Sequence, residues 1–334
     1  MKSREIRLKS RPVGMTKTTD FETAEVDLGA PAAGQVLVRN RWMSVDPYMR
    51  GRMYDRPSYV PPFQIGEALQ GGAIGEVVES ADGGFAPGDL VSSMLGWRED
   101  FIAPASALEK LPVSLGSGGV PPQAYLGVMG MPGLTAYAGL LEIGQPKPGE
   151  TVFVSGGAGA VGSLVAQIAK LKGCTVVASA GSDAKCEWLK SAGVDHAINY
   201  KHGNLLDQVR SAAPKGIDVY FDNVGGEHLE VAIELARTNA RLVECGMIGS
   251  YNAAEPTPGP RNMIMIVGKS LTLRGFIVFN FAHLRPQFLT NMGGWLAAGQ
   301  IRVEETVMDG LDKAPDAFLA LFSGGNTGKM LVKL

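Results

Sequence analysis

A short apolar strand that runs into a cluster of glycines constrains this chain more than any other feature. Thr151–Val154 is β-branched and aromatic, as expected of a buried strand, and the chain then turns through the small residues 155–159. Helical spacing follows and places apolar side chains on one face, at Val161, Leu164, Val165, Ile168 and Leu171. Gly173 marks the end of this helix, and the uncharged run 174–178 predicts a second, parallel strand.

The glycines of this turn have the spacing GxGxxG at Gly157, Gly159 and Gly162. A strand that enters a helix through such glycines leaves bare backbone N–H groups at the positive end of the helix, where a diphosphate can bind. A tight turn kept only for packing is the alternative, because small residues between strands and helices are common. The strand, turn, helix and strand occur in the order that a dinucleotide site requires, so we expect the turn to bind a dinucleotide.

The end of the second predicted strand indicates which dinucleotide binds. An NAD site normally carries an acidic residue there, about 20 residues after the glycines, and this residue binds the ribose hydroxyls. Here residues 179–182 read SAGS, and the first acid, Asp183, comes later. Small polar residues leave room for a 2′-phosphate and Lys185 supplies charge, so the sequence favours NADP. The alternative is that Lys185 is a solvated residue in the first turn of the next helix.

Composition and charge limit the kind of protein. A chain of 334 residues is long enough for two lobes, and 45% hydrophobic with 19% charged residues is typical of a soluble globular protein. The net charge of −2 gives no sign of nucleic-acid binding. The charged N-terminus lacks the apolar core of a secretory signal, and no apolar stretch approaches membrane-spanning length. We therefore expect a cytoplasmic protein with no nucleic-acid or membrane partner.

Alternating strands and helices continue after the glycine turn and predict a doubly wound parallel sheet. The predicted helices are 183–191, 205–212, 229–235 and 284–298, and the predicted strands are 197–200, 219–221 and 241–245. Ligands bind such sheets outside the carboxyl ends of the strands. The residues that follow the strands are therefore site candidates, among them Tyr200, Asn223 and residues 246–251.

The first 122 residues predict a β-rich lobe, with strands at 35–40, 72–80 and 89–94. Within it, residues 44–53 (SVDPYMRGRM) are predicted as a loop, which is either part of a site or a packed surface turn. A second loop, 252–261, contains three prolines and is either a lid or a connector. The last segment, with a short helix at 314–321 and a closing strand, is expected to return to the first lobe.

Other chemistries find little support in the sequence. The four histidines lack the spacing and the acidic or thiol neighbours of a metal site, and three cysteines suggest neither a disulfide framework nor a zinc cluster. The sequence VGKS at 267–270 is not a phosphate loop, because Met263 stands where its first glycine would be. No GxSxG motif offers a nucleophile. We therefore expect no metal.

Five motifs occur in order along the chain: DPYMRGRM at 46–53, GMPGLTAY at 130–137, GAGAVGSLVAQIAKLKGC at 157–174, FDNVGGE at 221–227 and NTGK at 326–329. In these motifs the chain resembles the zinc-independent medium-chain dehydrogenase/reductase superfamily. Within it, the chain is most similar to the group of prostaglandin reductases (leukotriene B4 dehydrogenases), plant double-bond reductases and bacterial curcumin reductases. The resemblance implies an α/β fold, with a GroES-like β-rich catalytic domain at 1–122 and 301–334 and a doubly wound Rossmann domain at 123–300 that binds NADP.

The resemblance also implies which residues bind the cofactor. The diphosphate would be held by Gly159, Ala160, Val161 and Gly162. Lys185 and Tyr200 would hold the 2′-phosphate, in agreement with the charge argument. The rest of the cofactor site would consist of Asn223, Cys245, Gly246, Tyr251, Phe276, Ile277, Val278 and Asn326.

The implied reaction is the NADPH-dependent reduction of a carbon–carbon double bond conjugated to a ketone or aldehyde. Hydride would reach the β-carbon, charge would gather on the carbonyl oxygen as an enolate, and a proton would add at the α-carbon. Tyr251 and Tyr48 are the catalytic candidates for stabilising that oxygen, and a ribose hydroxyl of the cofactor is a third. Either a protein group or solvent delivers the proton.

Two other functions stay open at this stage. One is a quinone reductase of the same superfamily, which would differ in its substrate cleft. The other is an NADP-binding regulatory protein without turnover, although such a protein need not keep Lys185 and Tyr200. The expected partners are a small apolar enone or enal and, from the family alone, a second copy of the chain in a homodimer.

Overall fold

The computed structural model describes residues 1–112 and 119–334, which form two compact units. The first unit comprises Met1–Leu126, Glu305–Asn326 and Met330–Leu334, and the second comprises Gly127–Glu304 and Thr327–Lys329. The predicted β-rich domain includes residues 113–118, which lie outside the described residues. Within the described ranges, no helix has both the length and the apolar character needed to cross a membrane.

The elements of the first unit begin the chain. They are β1 (Lys2–Leu8), β2 (Phe21–Asp27), β3 (Gln35–Ser44), α1 (Met49–Arg52), β4 (Ala73–Ser80), β5 (Leu90–Ser93), β6 (Asp100–Pro104) and β7 (Glu109–Lys110). The second unit follows with α2 (Met131–Ala138), a π-helical turn (Gly139–Gly144), β8 (Thr151–Val154), α3 (Gly162–Leu171), β9 (Thr175–Ala180), α4 (Asp183–Ser191), β10 (His196–Asn199), α5 (Leu205–Ala212), β11 (Ile217–Asp222), α6 (Glu227–Leu235), β12 (Ala236–Glu244), α7 (Ile264–Gly268), β13 (Thr272–Gly275) and α8 (Arg285–Ala297). The chain ends with β14 (Glu305–Asp309), α9 (Ala314–Ser323) and β15 (Lys329–Lys333).

The second unit is built on a six-stranded sheet in the order β10-β9-β8-β11-β12-β13. All neighbouring strands are parallel, so the predicted doubly wound parallel sheet is confirmed. The strand order reverses between β8 and β11, the position at which such sheets bind dinucleotides. β11 is buried along its whole length, as expected of a central parallel strand.

Local signals in the sequence set the ends of several helices in this unit. The Ser182 side chain caps α4 by accepting a hydrogen bond from the Lys185 backbone N–H, and Asn204 caps α5 in the same way. Gly173 follows α3 with a φ of +77°, a left-handed conformation that glycine adopts without strain. The predicted bounds 183–191 and 205–212 are confirmed.

The first unit is centred on a seven-stranded sheet in the order β14-β15-β3-β4-β5-β7, with β6 also paired to β3. The ten-residue β3 pairs antiparallel with β15, β4 and β6, so the closing strand of the chain completes this sheet. Its core contains Trp97, which stacks on Phe21 at 5.8 Å between ring centroids and meets the Phe318 ring edge-on at 6.2 Å. A separate antiparallel ladder joins β1 to β2.

The structure differs from the sequence-based predictions where charge hides the strand pattern. β1 and β2 were not predicted, because each contains few apolar residues among its charged ones. β12 begins five residues earlier than expected. Residues 44–53 were predicted as a loop, but four of them form the one-turn helix α1. Its Arg50 side chain is fully buried and donates to the backbone carbonyls of Pro12 and Gly14, which fixes this turn against the chain before β2.

Two adjacent valines of β4 test the register of the first sheet. Val77 is 1% exposed and belongs to a core cluster, whereas Val78 is 39% exposed. Truncation of Val77 to Ala should lower the free energy of unfolding by about 2 kcal/mol, through lost burial and the cavity left behind. Val78→Ala, the matched control, should cost less than about 0.5 kcal/mol. Urea unfolding of both variants measures the difference, and equal losses would contradict this register.

Candidate functional site

The glycines of the turn between β8 and α3 have two different roles. A Cβ on Gly162 would lie 2.3 Å from the Gly156 carbonyl oxygen, and one on Gly157 would lie 2.7 Å from the Ala178 Cβ, so packing alone excludes side chains there. A Cβ on Gly159 would meet only the Gly156 oxygen, at 3.3 Å. The space beside the Gly159 Cα is therefore open, and glycine leaves room for a ligand there, while its own N–H donates to the Gly156 carbonyl at 3.0 Å.

The remaining residues of the turn carry the chain into α3. Ala160 and Val161 complete it, and the Ser163 N–H donates to the Gly159 carbonyl at 3.0 Å. The Val161 carbonyl accepts hydrogen bonds from Leu164 and Val165, at 3.1 and 3.0 Å. The N-terminal end of α3, with its positive dipole, thus lies directly after the open space beside Gly159.

A short segment near the chain end also reaches the glycine turn. The Gly328 N–H donates to the Ala158 carbonyl at 2.7 Å, and Gly328 forms a parallel bridge with Gly159. A Cβ at 328 would lie 1.8 Å from the Glu304 carbonyl oxygen, so the packing of this segment against Glu304 requires glycine. The sequence-based prediction named Asn326, which lies in the first unit directly before this segment, but missed the contact itself.

The predicted 2′-phosphate residues converge at the ends of β9 and β10. Tyr200 follows β10, and a Cβ on Gly181 would lie 2.9 Å from the Tyr200 hydroxyl oxygen. Lys185 lies in the first turn of α4, where burial lowers the pKa of its ammonium group and the charge of Lys201 lowers it further. Two lysines and a phenol therefore surround this strand end. Lys201 was missed, although it directly follows Tyr200 in the sequence.

The nearest acid, Asp183, is held by its own neighbours. Its Oδ1 accepts a hydrogen bond from Asn199 Nδ2 at 2.8 Å and lies 3.5 Å from His202 Nδ1. The Asp183 carboxylate therefore contacts the last residue of β10, Asn199, and a residue that follows this strand, His202. The surplus of positive charge at this end of the sheet fits a phosphate better than it fits bare ribose hydroxyls.

The other end of the site lies where β11 and β12 end. Asn223 donates through Nδ2 to the Ser155 carbonyl at 2.8 Å, and its backbone N–H donates to Ser155 Oγ at 2.9 Å. The backbone N–H groups of Cys245 and Gly246 each donate to the Asp222 carbonyl at 3.0 Å. The loops that follow these two strands are therefore fixed at the carboxyl edge of the sheet.

The remaining predicted residues of the second unit lie along the same edge. The Tyr251 hydroxyl accepts a hydrogen bond from the Met247 N–H at 3.2 Å, which folds its ring back over the 245–251 loop. Gly275, paired with Glu244, ends β13, and residues 276–278 follow it. Phe276 packs edge-on against Phe221, with ring centroids 6.4 Å apart. The structure thus places the predicted segments after β8, β10, β11, β12 and β13 at the ends of neighbouring strands.

Tyr48, the other catalytic candidate, belongs to the first unit. It directly precedes α1, and burial raises the pKa of its hydroxyl, with the nearby Asp46 carboxylate acting in the same direction. Asp46 itself accepts a hydrogen bond from Ser44 Oγ. The phenol is therefore protonated at neutral pH, which leaves it able to donate a hydrogen bond.

Cys245 has the chemistry of a structural residue. Burial raises the pKa of its thiol to about 12, and the neighbouring carboxylates of Asp222 and Glu244 act in the same direction. A neutral thiol is a weak nucleophile and a weak metal ligand. In the part of the chain that the structure describes, no group of three or more histidine, cysteine, aspartate or glutamate side chains is arranged to hold a metal ion.

Comparison with known proteins identifies the class to which this fold and site belong. Residues 4–111 match the family described as the N-terminal domain of oxidoreductase, and residues 160–292 match the family described as zinc-binding dehydrogenase. The chain belongs to the medium-chain dehydrogenase/reductase superfamily of oxidoreductases. The predicted resemblance and the predicted α/β fold are thereby confirmed.

Particular relatives match over nearly the whole chain. The NADPH-dependent curcumin reductase of Escherichia coli is 42% identical, covering 98% of this chain and 95% of the relative. The NADP⁺-dependent 2-alkenal reductase of Nicotiana tabacum is 42% identical, covering 99% and 97%. The crystal structure of CurA from Vibrio vulnificus in complex with NADPH has a TM-score of 0.93 and 41% identity, covering 99% of this chain and 98% of that one.

Two glycine substitutions separate packing from binding in the turn. Gly162→Ala forces a Cβ against the Gly156 carbonyl and should lower the free energy of unfolding by about 3 kcal/mol. Gly159→Ala should cost less than about 1 kcal/mol, yet weaken dinucleotide affinity at least about tenfold, because its methyl group occupies the space of the diphosphate. Chemical unfolding measures the stability of both variants, and a binding titration measures their dinucleotide affinity. If Gly159→Ala binds the dinucleotide as tightly as the wild type, the diphosphate does not bind beside Gly159.

Proposed function

We propose that the chain is an NADPH-dependent reductase of the carbon–carbon double bond in α,β-unsaturated ketones and aldehydes. The observation that carries the cofactor part of this proposal is the open space beside Gly159, shortly before α3, together with Lys185 and Lys201, which follow β9 and β10. Relatives of 42% identity that are named for the reduction of curcumin and of 2-alkenals support the reaction. We also propose that the reaction does not require a zinc ion.

NADP fits the residues at both ends of the proposed site. The glycine turn leaves space at 159, Lys185 and Lys201 offer charge for a 2′-phosphate, and Tyr200 offers a hydroxyl next to them. At the other end, the backbone of the 245–251 loop and the Asn223 amide would hold the nicotinamide half. A chain at 41% identity crystallised with NADPH supports the same choice.

We propose that the second unit binds the cofactor. Bound NADPH would supply a hydride to the β-carbon of the substrate, which leaves negative charge on the carbonyl oxygen. A protonated phenol that donates to this oxygen would stabilise the charge by about 3 kcal/mol. Tyr251 in the second unit and Tyr48 in the first are the candidates, and Tyr→Phe variants of each, compared by kcat, distinguish them.

The reaction is tested by NADPH oxidation at 340 nm with enones, enals and quinones, each substrate run separately. The proposal predicts turnover of enones and enals to products whose double bond is saturated and whose carbonyl group is intact. Product analysis by mass spectrometry checks this result. Turnover of quinones alone would contradict it and favour a quinone reductase, whereas NADPH binding without turnover would favour a regulatory protein.

Cofactor preference is tested with two lysines of α4. Lys185→Ala should lower kcat/KM for NADPH about 10- to 100-fold and change that for NADH little, because only NADPH carries the 2′-phosphate. Lys190→Ala is the matched control, since Lys190 lies on the same helix and pairs with Glu187 on its exposed surface. Equal losses with both cofactors in Lys185→Ala would show that Lys185 acts on the fold and not on the phosphate.

We further propose that the chain forms a homodimer through the β13 edge of the second unit. β13 is the last strand of its sheet, three of its four residues are exposed, and nearby α7 exposes Ile264 and Val267 at 78% and 77%. An open strand edge beside exposed apolar side chains is a surface that a second copy can cover by pairing its own edge strand.

A charged residue introduced on the exposed surface of α7 beside β13 should prevent dimer formation. Val267→Asp places a carboxylate in the proposed apolar interface, and the dimer should dissociate to a monomer in size-exclusion chromatography with light scattering. Val13→Asp is the matched control, because Val13 is 85% exposed in the first unit. A Val267→Asp protein with the mass of the wild-type dimer would place the interface elsewhere.

A further inference from the structure

Two carboxyl groups lie side by side where β11 and β12 end. Asp222 and Glu244 are direct partners in the parallel register of these strands, and the partner of Glu244 on β13 is Gly275, which has no side chain. Asp222 is fully buried, and both carboxyl oxygens of Glu244 are buried as well. The carboxyl groups of Asp222 and Glu244 therefore lie next to each other on adjacent strands.

Asp222 connects the two loops that follow these strands. Its Oδ1 accepts hydrogen bonds from the Ser155 and Tyr220 hydroxyls and from the backbone N–H groups of Val224 and Gly225, at 2.7–2.8 Å. Its backbone carbonyl accepts from the N–H groups that begin the 245–251 loop. Ile248 then donates to the Asn223 carbonyl at 3.1 Å, so both loops are fixed relative to Asp222.

The pair holds three buried oxygen atoms that no donor among the described residues reaches: Asp222 Oδ2, Glu244 Oε1 and Glu244 Oε2. Two ionised carboxylates only accept hydrogen bonds and repel each other, whereas one proton between them supplies a donor and removes a charge. Burial raises the pKa of the Glu244 carboxyl to about 8, and the Asp222 carboxylate acts in the same direction. Asp222 Oδ1 already accepts four hydrogen bonds, so we place the shared proton on Glu244.

The other titratable groups of this cluster keep one charge state between pH 6 and 10. Burial raises the pKa of the Tyr220 hydroxyl on β11 well above its usual range, and raises that of the Cys245 thiol to about 12. Burial lowers the pKa of His228 on α6 to about 4, against the pull of the Asp222 carboxylate. Of the groups in this cluster, Glu244 is thus the one that changes charge in that range.

We propose that Glu244, as a protonated carboxylic acid that donates a hydrogen bond to Asp222 Oδ2, is a positioning residue for the nicotinamide half of the cofactor site. The inference rests on the proposed function, because it adds a residue to the proposed NADP site. Loss of the proton leaves two buried anions side by side, and their repulsion displaces the loops that are fixed to Asp222. Cofactor affinity therefore falls as rising pH ionises Glu244.

The dissociation constant of NADPH, titrated by fluorescence between pH 7 and 10, tests this role. In the wild type it should rise above pH 8 and approach tenfold per pH unit, the limit for one proton. Glu244→Gln cannot ionise and its amide still donates to Asp222, so its dissociation constant should lose this rise. The control Glu234→Gln, at an exposed position on α6, should behave as the wild type. A wild-type rise that persists in Glu244→Gln would overturn the proposal.

Lys185 also affects alkaline binding, because its lowered pKa makes it lose charge as the pH rises. NADH carries no 2′-phosphate, so the same titration with NADH removes this contribution. The difference between the wild type and Glu244→Gln should remain with NADH. A difference that disappears with NADH would assign the pH dependence to the phosphate end of the site and overturn the proposal.

The unliganded protein gives a readout that does not depend on cofactor binding. Because folding raises the pKa of Glu244 above 4.5, its contribution to stability is complete below that pH and is lost as the pH rises toward 8. Between pH 5 and 8, the wild type should therefore lose stability relative to Glu244→Gln in urea unfolding, with a slope of up to one proton. Equal slopes of stability against pH in the wild type and Glu244→Gln would show that Glu244 and Asp222 do not share a proton. If the slopes differ but the protein does not bind NADPH, the shared proton is supported. Its role in the cofactor site and the proposed function are then both wrong.

Discussion

The nucleotide-binding unit depends on the close approach of Gly162 to the carbonyl oxygen of Gly156. A side chain at 162 would collide with that backbone, so glycine is the residue that lets α3 begin directly after the turn. This contact brings the helix N-terminus to the carboxyl end of β8, while Gly159 stays open toward the space beside it. One motif therefore contains glycines required for packing and a glycine that leaves open space beside it, where we propose that the cofactor binds.

The two ends of the proposed cofactor site are organised by different physical means. At the 2′-phosphate end, cationic and hydroxyl side chains from separate elements, Lys185 and Tyr200, meet where β9 and β10 end. At the nicotinamide end, a single residue, Asp222, fixes two loops: its carboxylate accepts from the loop after β11, and its backbone carbonyl accepts from the loop after β12. In the proposed site, the first end would depend on the charge of half-buried Lys185, and the second depends on a buried carboxylate and on backbone hydrogen bonds.

Local patterns were sufficient to predict much of this arrangement. The glycine spacing and the alternation of strands with helices predicted the parallel sheet and its order of elements. The missing acid after β9 predicted NADP, and the motifs identified the superfamily. The bridge of Gly328 to the turn and the Asp222–Glu244 pair could not be predicted, because they join residues distant in sequence through the register of a sheet. β1 was missed because its charged residues mask the buried side of a short strand.

The most direct test of this account follows the hydrogen that is transferred. With NADPH deuterated at the transferring position of nicotinamide C4 and a simple enone as substrate, NMR of the product locates the deuterium. The account predicts one deuterium at the β-carbon, a saturated carbon–carbon bond and an intact carbonyl group. Deuterium on the carbonyl carbon of an alcohol product, with the double bond retained, would contradict it.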